Sequence, residues 1–304
     1  MIEQTNKARL APILERGSLF AILDGAAVDG LPRQLARMQP THVCLYRGEL
    51  AADMVATAPY LVHLAPNHAF TNWMLEKAWG NNWGVFVEAG VDIKALRKHF
   101  RGFLMVDDPN GRSLYFRYYD PRVLRVYLPT CCAQELVHVF GPVKRYWVED
   151  DENGLVNGLD RESFAKQVPQ ASHQPRSARL RIRSEQMAVF DQHATERFQR
   201  QMTTHIREQF PRETAAYDDT ALYDFVGRQI EQASEYHITD RPSLAQYLNL
   251  AMIFGPHFDQ SDEHPWAGEI LNNPSLNSGQ TKMMYLNEAA REQAATETTG
   301  EAAG

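Results

Sequence analysis

Hydrophobic and polar positions follow two different periods along the first half of the chain. Short apolar runs that end at Gly, Pro or a polar residue predict buried strands, whereas apolar residues three and four positions apart predict amphipathic helices. The strand-like runs occupy residues 18–24, 42–46, 59–64, 83–88 and 143–148. The helix-like stretches occupy residues 31–38, 68–79 and 92–100, and Asp92 is a suitable N-cap for the last of them. This alternation predicts a mixed α/β lobe over residues 1–150.

A β-hairpin is predicted around residue 110. Pro109-Asn110-Gly111 separates one apolar run at 103–106 from another at 113–119. Asn and Gly tolerate positive φ, which the tight turns of hairpins require. The hairpin therefore falls inside the predicted α/β lobe.

From residue 184 onward the period is helical throughout. Helices are predicted from Ser184 to about 206, from Thr220 to about 233, over 242–254 and over 266–271. Their narrow apolar stripes predict an all-helical lobe over 184–288, while residues 151–183 read as a linker and 289–304 as a disordered tail. The expected fold class is α+β, with an N-terminal mixed α/β lobe followed by a C-terminal all-helical lobe.

The charge of the chain is divided unevenly between its halves. The 304 residues carry a net charge of −7 and have the composition of a globular protein. Residues 1–150 hold 17 Lys and Arg against 15 Asp and Glu, which is +2, and residues 151–304 hold 14 against 23, which is −9. An acidic chain of this kind disfavours nucleic acid as a partner, because nucleic-acid binding draws on a basic field.

The sequence also predicts a cytoplasmic location. Its N-terminus is polar and lacks the apolar core of a signal peptide, and no apolar run is long enough to insert into a membrane. The three cysteines, Cys44, Cys131 and Cys132, form an odd set without disulfide spacing, as is typical of a reducing compartment.

No catalytic motif stands out, so no catalytic residue, cofactor or metal is predicted. The glycine-rich phosphate loops, the nucleophile elbow and the paired Cys or His spacings of zinc sites do not occur. The densest ligand-like group is His257, Asp259, Asp262, Glu263 and His264. It reads either as a polar loop between helices or as a divalent-metal site.

Residues 116–124 place two guanidinium groups and a carboxylate among aromatics. Asp120 precedes Pro121, and its side chain has two predicted roles, as a cap of the next turn or in a bidentate pair with Arg117 or Arg122. Arg117, Tyr119, Asp120 and Arg122 therefore read either as a salt-bridged corner of the fold or as a surface that contacts a partner.

A second basic cluster lies further along the chain. Arg176, Arg179, Arg181 and Arg183 follow one another at short spacing. They read either as ordinary solvated charge or as a docking patch for an acidic partner.

Six segments in the first half also carry a family resemblance. They are Ala21–Ala26, Ala58–Val62, Trp83–Phe86, Leu96–Arg101, Arg117–Leu124 and Phe140–Val143. In order and spacing they resemble the type VI secretion adaptor family, also called effector chaperones and first catalogued as a domain of unknown function. The resemblance covers about residues 18–148, and its most specific part is Arg117 to Arg122. A looser similarity to the tail of such proteins covers Ile253–Asp259 and Pro265-Trp266.

The resemblance implies a function without catalysis. Such adaptors bind a toxic effector in the cytosol of the producing cell and help to load it onto the VgrG-type spike protein of the secretion tube. It implies no catalytic residues, and it leaves open whether Arg117, Asp120 and Arg122 determine the fold or contact a partner. The alternatives are a metal-dependent hydrolase or transferase using the His257–His264 cluster, and a structural subunit of a larger assembly.

Overall fold

The computed structural model describes residues 2–150, 154–165 and 179–301, and the chain divides into two compact units. The first unit spans Met1–Asp191 and the second spans Gln192–Gly304. The first is a mixed α/β unit and the second is helical in its described residues, which confirms the expected fold class.

The first unit is built on an antiparallel sheet of six strands. These are β1 (Leu19–Asp24), β2 (His42–Cys44), β3 (Pro59–His63), β4 (Gly84–Ala89), β7 (Val143–Glu149) and β8 (Val156–Asp160). Their spatial order is β2-β3-β1-β4-β7-β8. The predicted hairpin forms a separate pair, β5 (Met105–Asp107) and β6 (Ser113–Tyr115).

Helices connect the strands of the first unit. They are α1 (Ile2–Glu15), α2 (Leu31–Met38), α3 (Ala52–Thr57), α4 (Ala69–Lys77), α5 (Ile93–Phe100), α6 (Pro121–Tyr127), α7 (Ala133–Phe140) and α8 (Arg161–Ala165). The predicted cap at the start of α5 is confirmed, because the Asp92 carboxylate accepts a hydrogen bond from Ala95 N at 2.8 Å.

Both faces of the sheet are covered, which explains the continuous apolar runs in the sequence. Phe20 and Ile22 of β1 lie in one core with residues of α5, α6 and α7. Leu19, Ala21 and Leu23 point to the other side and pack with residues of α1, α2 and α4. Every residue of β1 and β4 is buried, so neither strand shows the apolar–polar alternation of a half-exposed strand.

The linker predicted over residues 151–183 is wrong for its described residues. β8 lies in this range and pairs with β7 as an edge strand of the sheet. Further on, Leu180 and Ile182 are buried, and backbone hydrogen bonds join them to Asp107 at 3.0 and 2.8 Å. The first unit therefore extends to Asp191 instead of ending near 150. β8 escaped prediction because Asn157, Gly158 and Asp160 interrupt its apolar positions.

In its described residues, the second unit is formed by five helices that share one core. They are α9, which begins in the first unit and runs over Ser184–Gln209, α10 (Asp219–Glu235), α11 (Arg241–Phe254), α12 (Pro265–Leu271) and α13 (Gly279–Glu301). The N-cap of α10 is Asp218, two residues before the predicted helix start at Thr220. Its Oδ1 accepts a hydrogen bond from Ala221 N at 2.7 Å. The predicted stop at Gly255 is confirmed as the end of α11.

The end of the chain differs from the predicted disordered tail over 289–304. The backbone of α13 continues as a helix to Glu301, and residues 302–304 lie outside the described residues. Ala and Glu are strong helix formers, which accounts for a helical backbone in a segment whose sequence offers little to a core.

A half-buried histidine links α5 to α7 in the first unit. The Nε2–H of His99 donates to Val139 O at 3.0 Å, and the ring fills the space in which a Cβ at Gly141 would stand. Burial lowers the pKa of His99 to about 4, with the hydrogen bond to Val139 opposing this and the charge of His138 adding to it. His99 is therefore neutral in the folded chain at pH 7.

Acidification should destabilise the first unit through His99. The unfolded residue takes up a proton near pH 6.5 and the folded one only near pH 4, so stability is lost as the pH falls through this window. The loss from this residue should reach about 3 kcal/mol at most. His99→Gln keeps a neutral donor, so its urea unfolding, followed by tryptophan fluorescence, should depend less on pH between 6.5 and 4. The exposed His138 is the control, and His138→Gln should keep most of the wild-type slope, because its charge is the smallest of the three contributions to the pKa of His99. Equal slopes for His99→Gln and the wild type would contradict the assignment.

Candidate functional site

The Arg117–Arg122 segment connects β6 to α6 and begins that helix. Asp120 is the N-cap, because its Oδ1 accepts a hydrogen bond from Arg122 N at 3.0 Å, and Pro121 occupies the first helical position. Nε and Nη2 of Arg122 donate to Oδ1 and Oδ2 of Asp120 at 2.8 and 2.7 Å. The predicted cap and the predicted bidentate pair both form, and Arg122 supplies the guanidinium.

Arg117 pairs with Asp24 instead of Asp120. Its Nη2 donates to Oδ2 of Asp24, which is the last residue of β1. The Asp24 side chain is only 3% exposed, whereas that of Arg117 is 43% exposed. Burial would lower the pKa of the Arg117 guanidinium, but the hydrogen bond and charge of Asp24 outweigh this effect and raise it. The ion pair thus neutralises a buried carboxylate at the end of a central strand.

The turn after Asp24 brings other segments of the resemblance to the same place. Oδ1 of Asp24 accepts from Ala26 N at 3.0 Å, and Gly25 N donates to Ala58 O at 3.0 Å. A Cβ at Gly25 would lie 2.5 Å from Ala58 O and 2.6 Å from Ala56 O, so a side chain does not fit there. The segments around 21–26, 58–62 and 117–124 therefore meet at one end of β1, although they lie far apart in sequence.

Tyr119 is buried and is hydrogen-bonded to the more exposed Tyr115. It is 1% exposed, and its hydroxyl shares a hydrogen bond of 2.9 Å with the hydroxyl of Tyr115. Burial raises the pKa of Tyr119 above its ordinary value, so the phenol is protonated at neutral pH. The Tyr115 ring is 39% exposed and packs edge-on against Tyr46 at 5.9 Å between centroids. Tyr115, which sequence reasoning missed, is therefore the surface residue of this pair.

Arg183 of the second basic cluster lies inside the first unit's own bonding network. Its side chain contacts the buried carboxylate of Glu135 at 3.3 Å and donates to Thr130 O at 2.7 Å. Glu135 also accepts from Cys132 N at 2.7 Å and from Gln186 Nε2 at 3.2 Å. Arg183 thus holds the start of α9 against the start of α7.

The other members of that cluster have different surroundings. Arg179 is half-exposed and contacts Asp107 at 3.5 Å, and its Nη1 donates to the Ser113 hydroxyl at 3.2 Å. Arg181 is exposed, and Arg176 lies outside the described residues. The four arginines therefore do not form one uniform patch as far as the structure describes them.

The ligand-like cluster at 257–264 and the buried Cys131 have surroundings that suit structural roles. Asp259 is 2% exposed and accepts from the Tyr236 hydroxyl at 2.9 Å. Within the described parts of the chain, the cluster from His257 to His264 does not assemble three ligating groups around one point. Burial raises the pKa of the Cys131 thiol, so the unreactive protonated form dominates at neutral pH.

Comparison with known proteins gives one family and no individual relative. The family model described as a domain of unknown function, DUF4123, matches residues 19–137, from the start of β1 into α7. It includes five of the six segments that carry the resemblance to secretion adaptors, while Phe140–Val143 and the helical second unit lie beyond it. Proteins with this domain are generally associated with effectors of the type VI secretion system. Neither curated proteins nor solved structures give a match.

Breaking the Arg117–Asp24 pair should destabilise the first unit. Arg117→Gln leaves the Asp24 carboxylate buried without its cation, and we expect a loss of about 2 kcal/mol, discounted for the exposure of Arg117. Urea unfolding measures the change. Adding Asp24→Asn to Arg117→Gln should recover part of the loss, because the uncompensated charge is then gone.

The control for this cycle is Arg112→Gln, which removes an exposed arginine from the neighbouring hairpin. It should leave the unfolding free energy within about 0.5 kcal/mol of the wild type. If Arg117→Gln behaves like Arg112→Gln in unfolding but weakens partner binding, Arg117 is a contact residue and not a determinant of the fold.

Proposed function

We propose that this chain is an adaptor of the type VI secretion system that binds an effector and helps to load it onto the VgrG-type spike protein. The observation that carries the proposal is the family match over residues 19–137, because this family is generally associated with effector adaptors of that system. The same residues contain the Arg117–Arg122 segment, which is the most specific part of the resemblance.

The arrangement of the family segments supports a function on the surface. At the end of β1, Arg117 donates to Asp24, and Gly25 N donates to Ala58 O. At the start of α6, Arg122 donates to Asp120. These residues stabilise the scaffold, and most of their polar atoms are used in intramolecular hydrogen bonds. A scaffold of this kind suits a protein whose exterior recognises other polypeptides.

Each unit offers exposed apolar side chains of the kind that protein interfaces use. Met105 and Tyr115 are both 39% exposed in the first unit, and Met284 and Tyr285 on α13 are 58% and 42% exposed in the second. Met and aromatic residues are enriched in interface cores. Two units with separate cores and separate surfaces suit an adaptor that holds two partners.

The second unit also has a groove between α11 and α13. It has a volume of about 750 Å³, and its lining includes Asp240, Met284 and Glu288. An acidic groove with an exposed methionine differs in charge from the first unit, whose segment 1–150 has a net charge of +2. This difference supports two partners of unlike surface chemistry.

The alternatives receive no support of their own from the described residues. For the metal-dependent hydrolase or transferase, the residues from His257 to His264 would have to come together, and Asp259 instead bonds to Tyr236. Elemental analysis of the purified protein tests that alternative directly. For the structural subunit, light scattering of the purified assembly would show a stable stoichiometric complex.

The adaptor function is tested in the bacterium that produces the chain. A tagged full-length chain should co-purify with an effector and with the spike protein from the cytoplasmic fraction. Deletion of its gene should lower the amount of that effector bound to the spike by at least tenfold, while the spike itself is still made. Co-purification of neither protein, or unchanged loading after the deletion, would contradict the proposal.

A further inference from the structure

One helix of the first unit carries a stripe of positive charge on its outer side. Lys94, Arg97, Lys98 and Arg101 lie three or four residues apart, so they share one side of α5 and the residue that ends it. Leu96 and Phe100 of the same helix are fully buried against the sheet. The stripe therefore lies away from the core, with Lys94 and Lys98 exposed and the two arginines half-buried.

In the part of the chain that the structure describes, these four cations lack the carboxylate partners that several other cations of the unit have. Among the described residues, no Asp or Glu oxygen lies within 4 Å of a charged nitrogen of the four. Arg97 Nε is buried and has no hydrogen-bond partner in that same set of residues. Asp92, the nearest acid in sequence, instead caps the first turn of α5. The stripe thus retains uncompensated positive charge.

Arg101 joins this stripe to the loop that follows β2. Its Nε donates to Leu45 O at 2.9 Å, and its Nη2 donates to Cys44 O at 3.2 Å and to Tyr46 O. Burial lowers the pKa of Arg101, and the charges of Arg97 and Arg47 lower it further. Arg97 lies one helical turn before Arg101, and Arg47 directly follows Tyr46, whose carbonyl accepts from Arg101. Carbonyl groups hold the guanidinium in place without cancelling its charge.

An aromatic border adjoins the positive charge. Tyr46, whose carbonyl accepts from Arg101, packs its ring against the exposed ring of Tyr115. Tyr115 is in turn held by the buried hydroxyl of Tyr119. Tyr and Arg that are fixed in this way lose little entropy on binding, which is why both are enriched in interface hot spots.

We propose that Arg47, Lys94, Arg97, Lys98 and Arg101, bordered by Tyr46 and Tyr115, form a docking surface for an acidic segment of a partner polypeptide. We call it the α5 basic face. Charge complementarity identifies the occupant: none of these five cations, Arg47 included, forms an ion pair among the described residues, so the face matches a segment rich in Asp and Glu. The proposal rests on the adaptor function only for the identity of the partner as effector or spike.

A polypeptide suits this face better than a nucleic acid does. The chain as a whole has a net charge of −7, and residues 151–304 contribute −9 of it. A long polyanion meets repulsion from the rest of such a molecule, whereas a short acidic segment meets only the local positive charge. The tyrosine border adds apolar contact area that a peptide side chain can use.

The first experiment measures binding of defined polyanions to the full-length chain. Fluorescently labelled poly-L-glutamate of about 20 residues is the probe, and single-stranded oligo-dT of the same length is the nucleic-acid comparison. Poly-glutamate should bind the wild type with an affinity that falls as salt rises. Lys94→Glu with Lys98→Glu should weaken this binding about tenfold, since the charges of the two exposed lysines of α5 are reversed.

The matched control reverses the charge of two arginines on a helix that covers the opposite face of the sheet. Arg33 and Arg37 are exposed on α2, four residues apart, so Arg33→Glu with Arg37→Glu changes the net charge equally. It should leave poly-glutamate binding unchanged, and circular-dichroism melts should show both variants folded. No binding to the wild type, equal weakening in the two double variants, or oligo-dT bound more tightly than poly-glutamate at this face would overturn the proposal.

The second experiment uses the partner from the producing cell. A zero-length carbodiimide joins a lysine amine to a carboxylate with loss of water, so it should link Lys94 or Lys98 to Asp or Glu of the co-purified effector or spike. If the partner co-purifies equally with the Lys94→Glu, Lys98→Glu variant and the wild type shows no such link, the α5 basic face is not the docking surface. If neither effector nor spike co-purifies with the wild type, the adaptor function fails, while the poly-glutamate result still decides the chemistry of the face.

Discussion

The buried carboxylate of Asp24 is the constraint on which the first unit depends. It stands at the end of a strand that is buried on both faces, where an uncompensated charge would oppose folding. Arg117 compensates it from the loop before α6, and the adjoining Gly25 lets the chain pass closely against Ala58. One ion pair and one close backbone approach therefore fix the position of the segment that begins α6. The Tyr115–Tyr119 pair and the aromatic surface around Tyr46 follow from that position.

This arrangement gives the family segments a physical meaning. Segments that look unrelated in sequence meet around the end of β1, so their residue types serve charge compensation, a side-chain-free turn and a helix cap. The polar atoms of these residues mostly form hydrogen bonds within the chain. Recognition is then expected from side chains that the scaffold displays, and the α5 basic face is a part of the first unit where several neighbouring cations have no carboxylate partner among the described residues.

The sequence predicted the elements whose signal is local. Apolar runs marked β1, β3, β4 and β7, and Asp92 and Gly255 marked helix ends, because each signal lies within a few residues of its effect. β8 was missed because its polar residues are held by pairing with β7 and not by their own propensity. The partner of Arg117 was missed because Asp24 lies 93 residues away, and no local pattern joins the two residues. The stripe on α5 was not singled out from the sequence, although its Lys and Arg residues stand at helical spacing.

The central claim is that the family segments build the scaffold and that its displayed surface binds polypeptides. Hydrogen–deuterium exchange of the full-length chain, with and without its co-purified effector or spike, tests both halves of this claim at once. The account predicts that exchange slows on binding around residues 45–47 and along the exposed side of α5, while the slow exchange of β1 and its turn stays as it was. Protection confined to other surfaces, or fast exchange of β1 in the free chain, would contradict it.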